Sequence, residues 1–382
     1  MIEEEEADMK KITVLGAGRV GAAMAADLAP DFEVTAVDTS AAALDRLRAR
    51  CRVETAQADL ADARAVQARI AGVDLVIGAV PGFMGYKTLE AVLEAGKSVV
   101  DISFFPEDAF GLDDLAKQRG VVAVVDCGVA PGMSNLIVGY WAGRMNITSL
   151  ECMVGGLPVI RTKPFEYKAP FSPVDVLEEY TRPARHVVNG QVVVRPALSD
   201  PELVEFDKVG TLESFNTDGL RSLLKTVSIP NMTEKTLRYP GHIALIRALK
   251  DAGFFATAPI DVNGQQVVPF DVTARVLFDS WKLGETEDEF TVGRIIIAGE
   301  ENGRPRRIVY DLFDRYDPKT GASSMARTTG YVCTAVARLV LDGRYQRKGI
   351  SPPEFVGQES GCLDAVLAYL RARHVDYEMS EQ

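Results

Sequence analysis

The chain has 382 residues, a length that predicts two or so domains at the usual ~150 residues each. An apolar content of 47% is ample for buried cores, a charged content of 25% is that of an ordinary globular protein, and a net charge of −12 argues against a nucleic-acid partner or an anionic membrane surface. No apolar run approaches the ~18 residues of a membrane span, and five scattered cysteines without a C-x-x-C pair argue against a disulfide framework or a metal site and for a reducing, cytoplasmic setting.

The first stretch, Met1-Ile2-Glu3-Glu4-Glu5-Glu6, is acidic where a signal peptide would be basic, and residues 1–9 are expected to form a frayed extension. The apolar run Ile12–Leu15 then ends on Gly16-Ala17-Gly18-Arg19-Val20-Gly21, with a helical pattern, Ala22–Leu28, behind it. A strand, three glycines spaced G-x-G-x-x-G and a helix predict a dinucleotide-binding turn. Gly16 permits the tight turn, Gly18 lets a pyrophosphate reach the backbone, and Gly21 lets the helix pack on the strand. The helix N-terminus adds unpaired N–H groups and partial positive charge.

Phe32–Val37 reads as the second strand and ends on Asp38, 20 residues after Gly18. A carboxylate there suits the ribose hydroxyls of NAD and repels the 2′-phosphate of NADP; the alternative is an N-cap for the helix Ala41–Arg50. Arg52–Ala56 is a third strand closed by Asp59, an adenine-side candidate, and Ala63–Ile70 a helix. Val73–Val80 is a near-continuous apolar run, as a strand buried on both faces should be. Strand ends in such sheets face the ligand, which places Ala79, Val80 and Pro81 on the cofactor side, with Ser103, Val129 and Pro131 as further candidates. A helix over Thr88–Ala95, a strand over Ser98–Ser103, a helix over Leu112–Arg119 and a strand over Val121–Asp126 complete the repeats. The fold class expected is α/β: a Rossmann domain with a doubly wound parallel sheet over 9–133.

Gly128-Val129-Ala130-Pro131-Gly132-Met133 breaks the repeat, and a helix, Ser134–Arg144, follows. From Leu150 the chain reads as long strands and turns, with Asn189-Gly190, Asn263-Gly264 and Asn302-Gly303 as hairpin signals. Helices are expected over Val174–Tyr180, Ile243–Asp251 and Val272–Trp281, giving an α+β domain with a mostly antiparallel sheet over 134–324. Met325–Leu341 and Gly361–Arg373 read as helices around a rigid Ser351-Pro352-Pro353-Glu354 loop, and 325–382 is expected to return to the Rossmann domain.

Chemistry is expected from polar residues in unusual settings. Asp101 sits at a strand's carboxyl end and is a proton-acceptor candidate, or else caps the next turn. Tyr167 and Lys168 form an ionisable pair in a loop, or an exposed loop only. Asn216 and Asp218 form a polar turn that suits an ammonium group, or an Asx-turn. Arg238 suits a substrate carboxylate, or pairs with a structural one. His242 is a second base candidate, or a satisfied imidazole at a helix start.

These residues carry a resemblance. The chain resembles the saccharopine dehydrogenase superfamily, and within it the lysine 6-dehydrogenases. The residues concerned are Gly128–Met133, Gly155-Gly156-Leu157-Pro158, Glu166-Tyr167, Phe171-Ser172, Thr236–His242 and Met325-Ala326-Arg327. Ala130 matches the lysine 6-dehydrogenases, whereas Lys168, Asn216 and Asp218 are similar to the saccharopine reductase pattern. The resemblance implies oxidation of the ε-amine of L-lysine with NAD as acceptor. Hydrolysis of the imine then yields ammonia and 2-aminoadipate semialdehyde, which cyclises to piperideine-6-carboxylate. It also implies a substrate-binding second domain that forms a homodimer, with Tyr167 and Lys168 orienting the hydrolytic water, and as an alternative within the superfamily a saccharopine or carboxynorspermidine dehydrogenase; a non-catalytic NAD-binding protein is the rival reading of a different class.

Overall fold

The computed structural model describes residues 9–170 and 173–382. Most of the acidic extension and the Phe171-Ser172 pair lie outside the described residues. The chain forms two compact units: one of the residues up to Met133 with Thr329–Leu370, the other of Ser134–Thr328 with Arg371–Gln382.

Strands and helices alternate from the start: β1 (Lys11–Leu15), α1 (Arg19–Leu28), β2 (Glu33–Asp38), α2 (Ala41–Arg50), β3 (Glu54–Gln57), α3 (Ala63–Ile70), β4 (Leu75–Gly78), α4 (Gly82–Glu94), β5 (Val99–Asp101), α5 (Asp113–Gln118) and β6 (Val122–Val124). The middle of the chain forms α6 (Met133–Ala142), β7 (Asn146–Pro158), α7 (Pro173–Thr181), β8 (Ala184–Val188), β9 (Gln191–Arg195), β10 (Glu202–Phe206), β11 (Gly210–Asn216), α8 (Leu223–Thr226), β12 (Asn231–Arg238), α9 (His242–Asp251), β13 (Ile260–Val262), β14 (Gln265–Val267), α10 (Pro269–Trp281), β15 (Glu289–Glu301) and β16 (Arg304–Arg315). The tail forms α11 (Ser324–Leu341), β17 (Gly349–Ser351), α12 (Pro353–Gln358), α13 (Cys362–Arg371) and β18 (Tyr377–Glu381).

The first unit holds a seven-stranded sheet in the order β17-β6-β5-β4-β1-β2-β3. Every pair in it is parallel. Its strands are apolar runs because helices cover both faces: Val14, Leu15, Val76, Ile77, Val99 and Val124 are fully or almost fully buried. Each such side chain contributes about 1.5–3 kcal/mol. The chain runs out to β3 at one edge and returns to β4 beside β1. That reversal makes the β1/β4 carboxyl ends the switch point at which ligands bind in such sheets.

The second unit holds a nine-stranded sheet, β10-β11-β12-β7-β15-β16-β18, with β8 on β12 and β9 on β8. All its pairs are antiparallel except β12 with β7. Each Asn-Gly turn places both residues at positive φ (Asn189 49° and Gly190 77°; Asn263 54° and Gly264 82°; Asn302 53° and Gly303 75°), as a two-residue hairpin requires. α7, α9 and α10 contribute Leu177, Tyr180, Ile243, Ile246, Leu277 and Trp281 to one buried cluster.

Three expectations about elements are corrected. α4 begins at Gly82, not Thr88. Gly85 replaces helix propensity with fit, since a Cβ there would lie 2.7 Å from both Ser103 and Phe105. The expected loop around Ser351 is a short strand, β17, on β6, and Pro353 starts α12 at a position where a missing N–H costs nothing. The tail does not belong wholly to the nucleotide unit, because β18 extends the second sheet as a partner of β16.

Candidate functional site

The glycine turn is built by close approach. Gly16 has φ +108°, and a Cβ on it would lie 2.4 Å from the Ala79 carbonyl oxygen. A Cβ on Gly21 would lie 2.0 Å from the Gly16 carbonyl oxygen, so α1 could not pack against the turn with any other residue. Gly18 is different: nothing lies within 4 Å of its Cβ position. It is the N-cap of α1, with no side-chain cap and no acid in the first turn. The helix N-terminus beside open backbone, flanked by exposed Arg19, has the electrostatics and the clearance for a pyrophosphate. Ala17 is buried, Val20 half-buried, and Ala79 of the β4 end abuts the turn.

Asp38 ends β2. Its Oδ2 accepts from the Ala17 backbone N–H at 2.7 Å and its Oδ1 from the Ser40 N–H at 2.8 Å. The N-cap of α2 is Ser40, whose hydroxyl accepts from the Ala43 N–H. The capping alternative for Asp38 is thereby removed. Its carboxylate is aimed beside the glycine turn, where each oxygen keeps a lone pair for a ribose hydroxyl. Asp59 is exposed beyond β3 and accepts from the Ala61 N–H, an Asx-turn at the sheet edge. Pro81 is exposed and Val80 buried.

Asp101 ends β5 and is 1% exposed. Its Oδ1 accepts from the Ser103 N–H at 2.8 Å and its Oδ2 from the Ser103 hydroxyl at 3.2 Å. Burial raises the carboxyl to about 7; the two Ser103 donors oppose this, and Asp126 adds to it. Asp101 therefore caps its turn, and its raised carboxyl suits it to taking up and releasing a proton. Val129 and Pro131 are half-buried in a closed turn in which Gly128 N–H donates to the Pro131 carbonyl and Met133 N–H to the Gly128 carbonyl. A Cβ on Gly132 would overlap Gly128.

In the second unit Tyr167, Arg238 and His242 come together, around Glu179, Tyr180 and Trp281. Arg238 is 2% exposed. Its Nε donates to the Tyr180 hydroxyl at 3.0 Å, Nη1 to the Leu237 carbonyl at 3.0 Å, and Nη2 to Glu179 at 2.8 Å. Its guanidinium lies 4.4 Å from the Tyr167 ring centre. Since Tyr180 accepts from Arg238, its own proton goes to His242 Nε2 at 3.0 Å, and His242 Nδ1–H donates to the Phe165 carbonyl at 2.9 Å. Burial and Arg238 lower His242 to about 3.

These bonds give the partners of each residue expected at the site. Arg238 is a buried structural cation paired with Glu179, not a free clamp for a substrate carboxylate. Burial and Arg238 hold the His242 imidazole in its neutral form, and its Nε2 lone pair accepts from the Tyr180 hydroxyl, which makes it a weak proton acceptor in this arrangement. Tyr167 is buried, with its hydroxyl pushed well above its usual range by burial. Lys168 donates to the Ser280 carbonyl at 3.0 Å. Asp218 is held by Arg185 through Nε and Nη2, both at 2.8 Å. Asn216 donates to Ser199 and Asp200. Sequence reasoning missed Glu179, Tyr180 and Glu234. Tyr180 lies with Val176 and Leu177 on the buried side of α7 and Glu179 is half-buried beside them, and an acid next to such a stripe was the available signal.

Two family descriptions match the chain: the saccharopine dehydrogenase NADP binding domain over residues 12–124 and the saccharopine dehydrogenase C-terminal domain over residues 128–375. Carboxyaminopropylagmatine dehydrogenase of Synechocystis sp. is 21% identical, over 90% of this chain and 92% of its own. The NADP(+), L-glutamate-forming saccharopine dehydrogenase of Pyricularia oryzae is 27% identical, over 52% of this chain and 47% of its own. The mitochondrial alpha-aminoadipic semialdehyde synthase of Mus musculus is 21% identical, over 90% of this chain but only 45% of its own length. Apo saccharopine dehydrogenase (L-Glu forming) of Saccharomyces cerevisiae shares the fold, with a TM-score of 0.78 at 18% identity, over 98% of this chain and 100% of that one. The chain belongs to the saccharopine dehydrogenase family.

Proposed function

We propose that the chain is an NAD-dependent dehydrogenase that oxidises the ε-amine of L-lysine and releases ammonia. The observation that carries this is Asp101, a buried carboxyl at a strand's carboxyl end whose two oxygens accept from Ser103 and which burial pushes up to about 7. An alkyl ammonium has a reference pKa of ~10.4 and must lose a proton before hydride can leave its carbon. Asp101 takes that proton. The nicotinamide, when bound, accepts the hydride. The substrate is left as an imine, which water converts to the aldehyde and ammonia.

The chain's residues fit the cofactor. Gly18 leaves room for the pyrophosphate, the α1 N-terminus faces it, and Asp38 offers its carboxylate to the ribose diol. The same carboxylate repels a 2′-phosphate, and no arginine follows it in Thr39-Ser40, which favours NAD over NADP.

A primary amine is favoured over a conjugated one for a specific reason. Lys168, Asn216 and Asp218 match the saccharopine reductase pattern, but Asn216 is engaged with Ser199 and Asp200 and Asp218 with Arg185, and both offer little to a second substrate arm. A conjugated amine is the alternative, favoured by the carboxyaminopropylagmatine dehydrogenase that aligns with nine-tenths of the chain. Assays of NAD reduction with lysine, saccharopine and polyamine conjugates separate the two. Turnover of lysine supports the proposal, and its absence at every pH from about 7 to 10 contradicts it.

A further inference from the structure

Asp101 is held by an arrangement that a turn cap alone does not require. Both of its carboxyl oxygens accept from one residue, Ser103, through the backbone N–H at 2.8 Å and the hydroxyl at 3.2 Å. The neighbouring strand end leaves a berth: a Cβ on Gly78 would lie 1.7 Å from Asp101 Oδ2 and 2.7 Å from its Cγ. Gly85 of α4 leaves a second berth, since a Cβ there would lie 2.7 Å from the Ser103 Cβ. Two missing side chains on two elements thus let Ser103 and the Asp101 carboxyl nest together, 2% and 1% exposed. The Ile102 N–H donates to the Gly78 carbonyl and the Cys127 N–H to the Asp101 carbonyl, which fixes the backbone on both sides.

We propose that Ser103 is the positioning residue for proton transfer by Asp101: its hydroxyl, held in place by the berths at Gly78 and Gly85, orients the carboxyl and stabilises its ionised form. The inference rests on Asp101 as the proton acceptor. A hydroxyl that donates to a carboxylate favours the charged form. It opposes the burial that disfavours charge, and keeps the group within working range instead of leaving it permanently protonated. The other titratable groups facing Asp101 are Asp126, which opposes its ionisation, and the Cys127 and Cys333 thiols. Burial pushes both thiols upward, so they stay neutral and do not titrate in the same range. Ser103 is therefore the group whose removal shifts Asp101 without adding or deleting a charge.

The test is a carboxyl 13C titration of the cofactor-free protein, with the Asp101 resonance assigned by its absence in Asp101→Asn. In Ser103→Ala the midpoint should move up by roughly half a pH unit or more. Ser103→Cys, close to native volume but a weaker donor, should move it part of the way. The acidic limb of log kcat/KM with the amine substrate should follow the same order. A native midpoint in both variants overturns the role of Ser103. If instead the acidic limb persists unchanged in Asp101→Asn, Asp101 is not the proton acceptor; the titration then still reports whether Ser103 governs its ionisation.

Discussion

Arg238 shows what a buried cation with a full set of partners does. Its nitrogens reach Tyr180, Leu237 and Glu179, and Tyr180 passes the chain of donors on to His242. Removing one member of a buried pair leaves the other charge unpaired, at a cost of about 3–5 kcal/mol. Arg238→Met should therefore lower the unfolding free energy by roughly 3 kcal/mol in denaturant titrations. It should harm turnover of lysine and of cadaverine, which lacks the carboxylate, to the same degree. A loss confined to lysine would restore Arg238 as a substrate clamp. That Arg238 pairs with a structural carboxylate and that His242 is a satisfied imidazole stood among the sequence readings, but the identity of their partners did not. Glu179 and Tyr180 lie 59 and 58 residues from Arg238, and Phe165 lies 77 from His242, so only the fold brings them together. Asp101 was legible, because the position of a strand end in a parallel sheet follows from its apolar run alone.

β12 carries a second buried acid. Glu234 is 5% exposed, and its carboxylate accepts from the Thr217 hydroxyl at 2.6 Å and the Gly219 N–H at 3.1 Å. Burial raises it to about 7; the two donors oppose this, and Glu179 and Asp218 add to it. The folded protein thus keeps a proton that the unfolded chain releases near pH ~4.3. With more protons bound in the folded state, stability falls as pH rises through that interval and stays lower above about 7. Asp101 contributes in the same direction. In Glu234→Gln this loss is absent. Its melting temperature relative to the native chain should rise by about 2–4 °C between pH 5 and pH 8. A difference that is flat with pH would mean that Glu234 is ionised in the folded state. Element boundaries were legible where they depend on local chemistry, as at the three Asn-Gly turns. They were hidden where a distant partner decides: Gly85 fits a helix against Ser103 and Phe105, and β17 and β18 are short strands that exist only beside β6 and β16.

At the scale of the molecule, the α/β architecture was legible because the periodicity changes after Asp126, from buried parallel strands to long strands joined by Asn-Gly turns. The nucleotide side followed from the glycine spacing, and the geometry around Gly16, Gly18 and Gly21 gives each its separate reason. The substrate side did not follow, since the residues that suggested it are engaged with partners in the second unit. The proposed preference for NAD rests on Asp38. Asp38→Ala should weaken NAD binding tenfold or more while leaving NADP binding unchanged or improved, read by fluorescence titration of the reduced cofactors; an equal loss of both would assign Asp38 to holding the turn through Ala17. The most direct measurement is the initial rate of NADH formation from NAD and L-lysine across pH, with ammonia release measured in parallel. The account predicts equimolar NADH and ammonia, with a rate that falls on the acid side of about pH 7 as Asp101 takes up its proton. NADH formation from a conjugated secondary amine and none from lysine would contradict it.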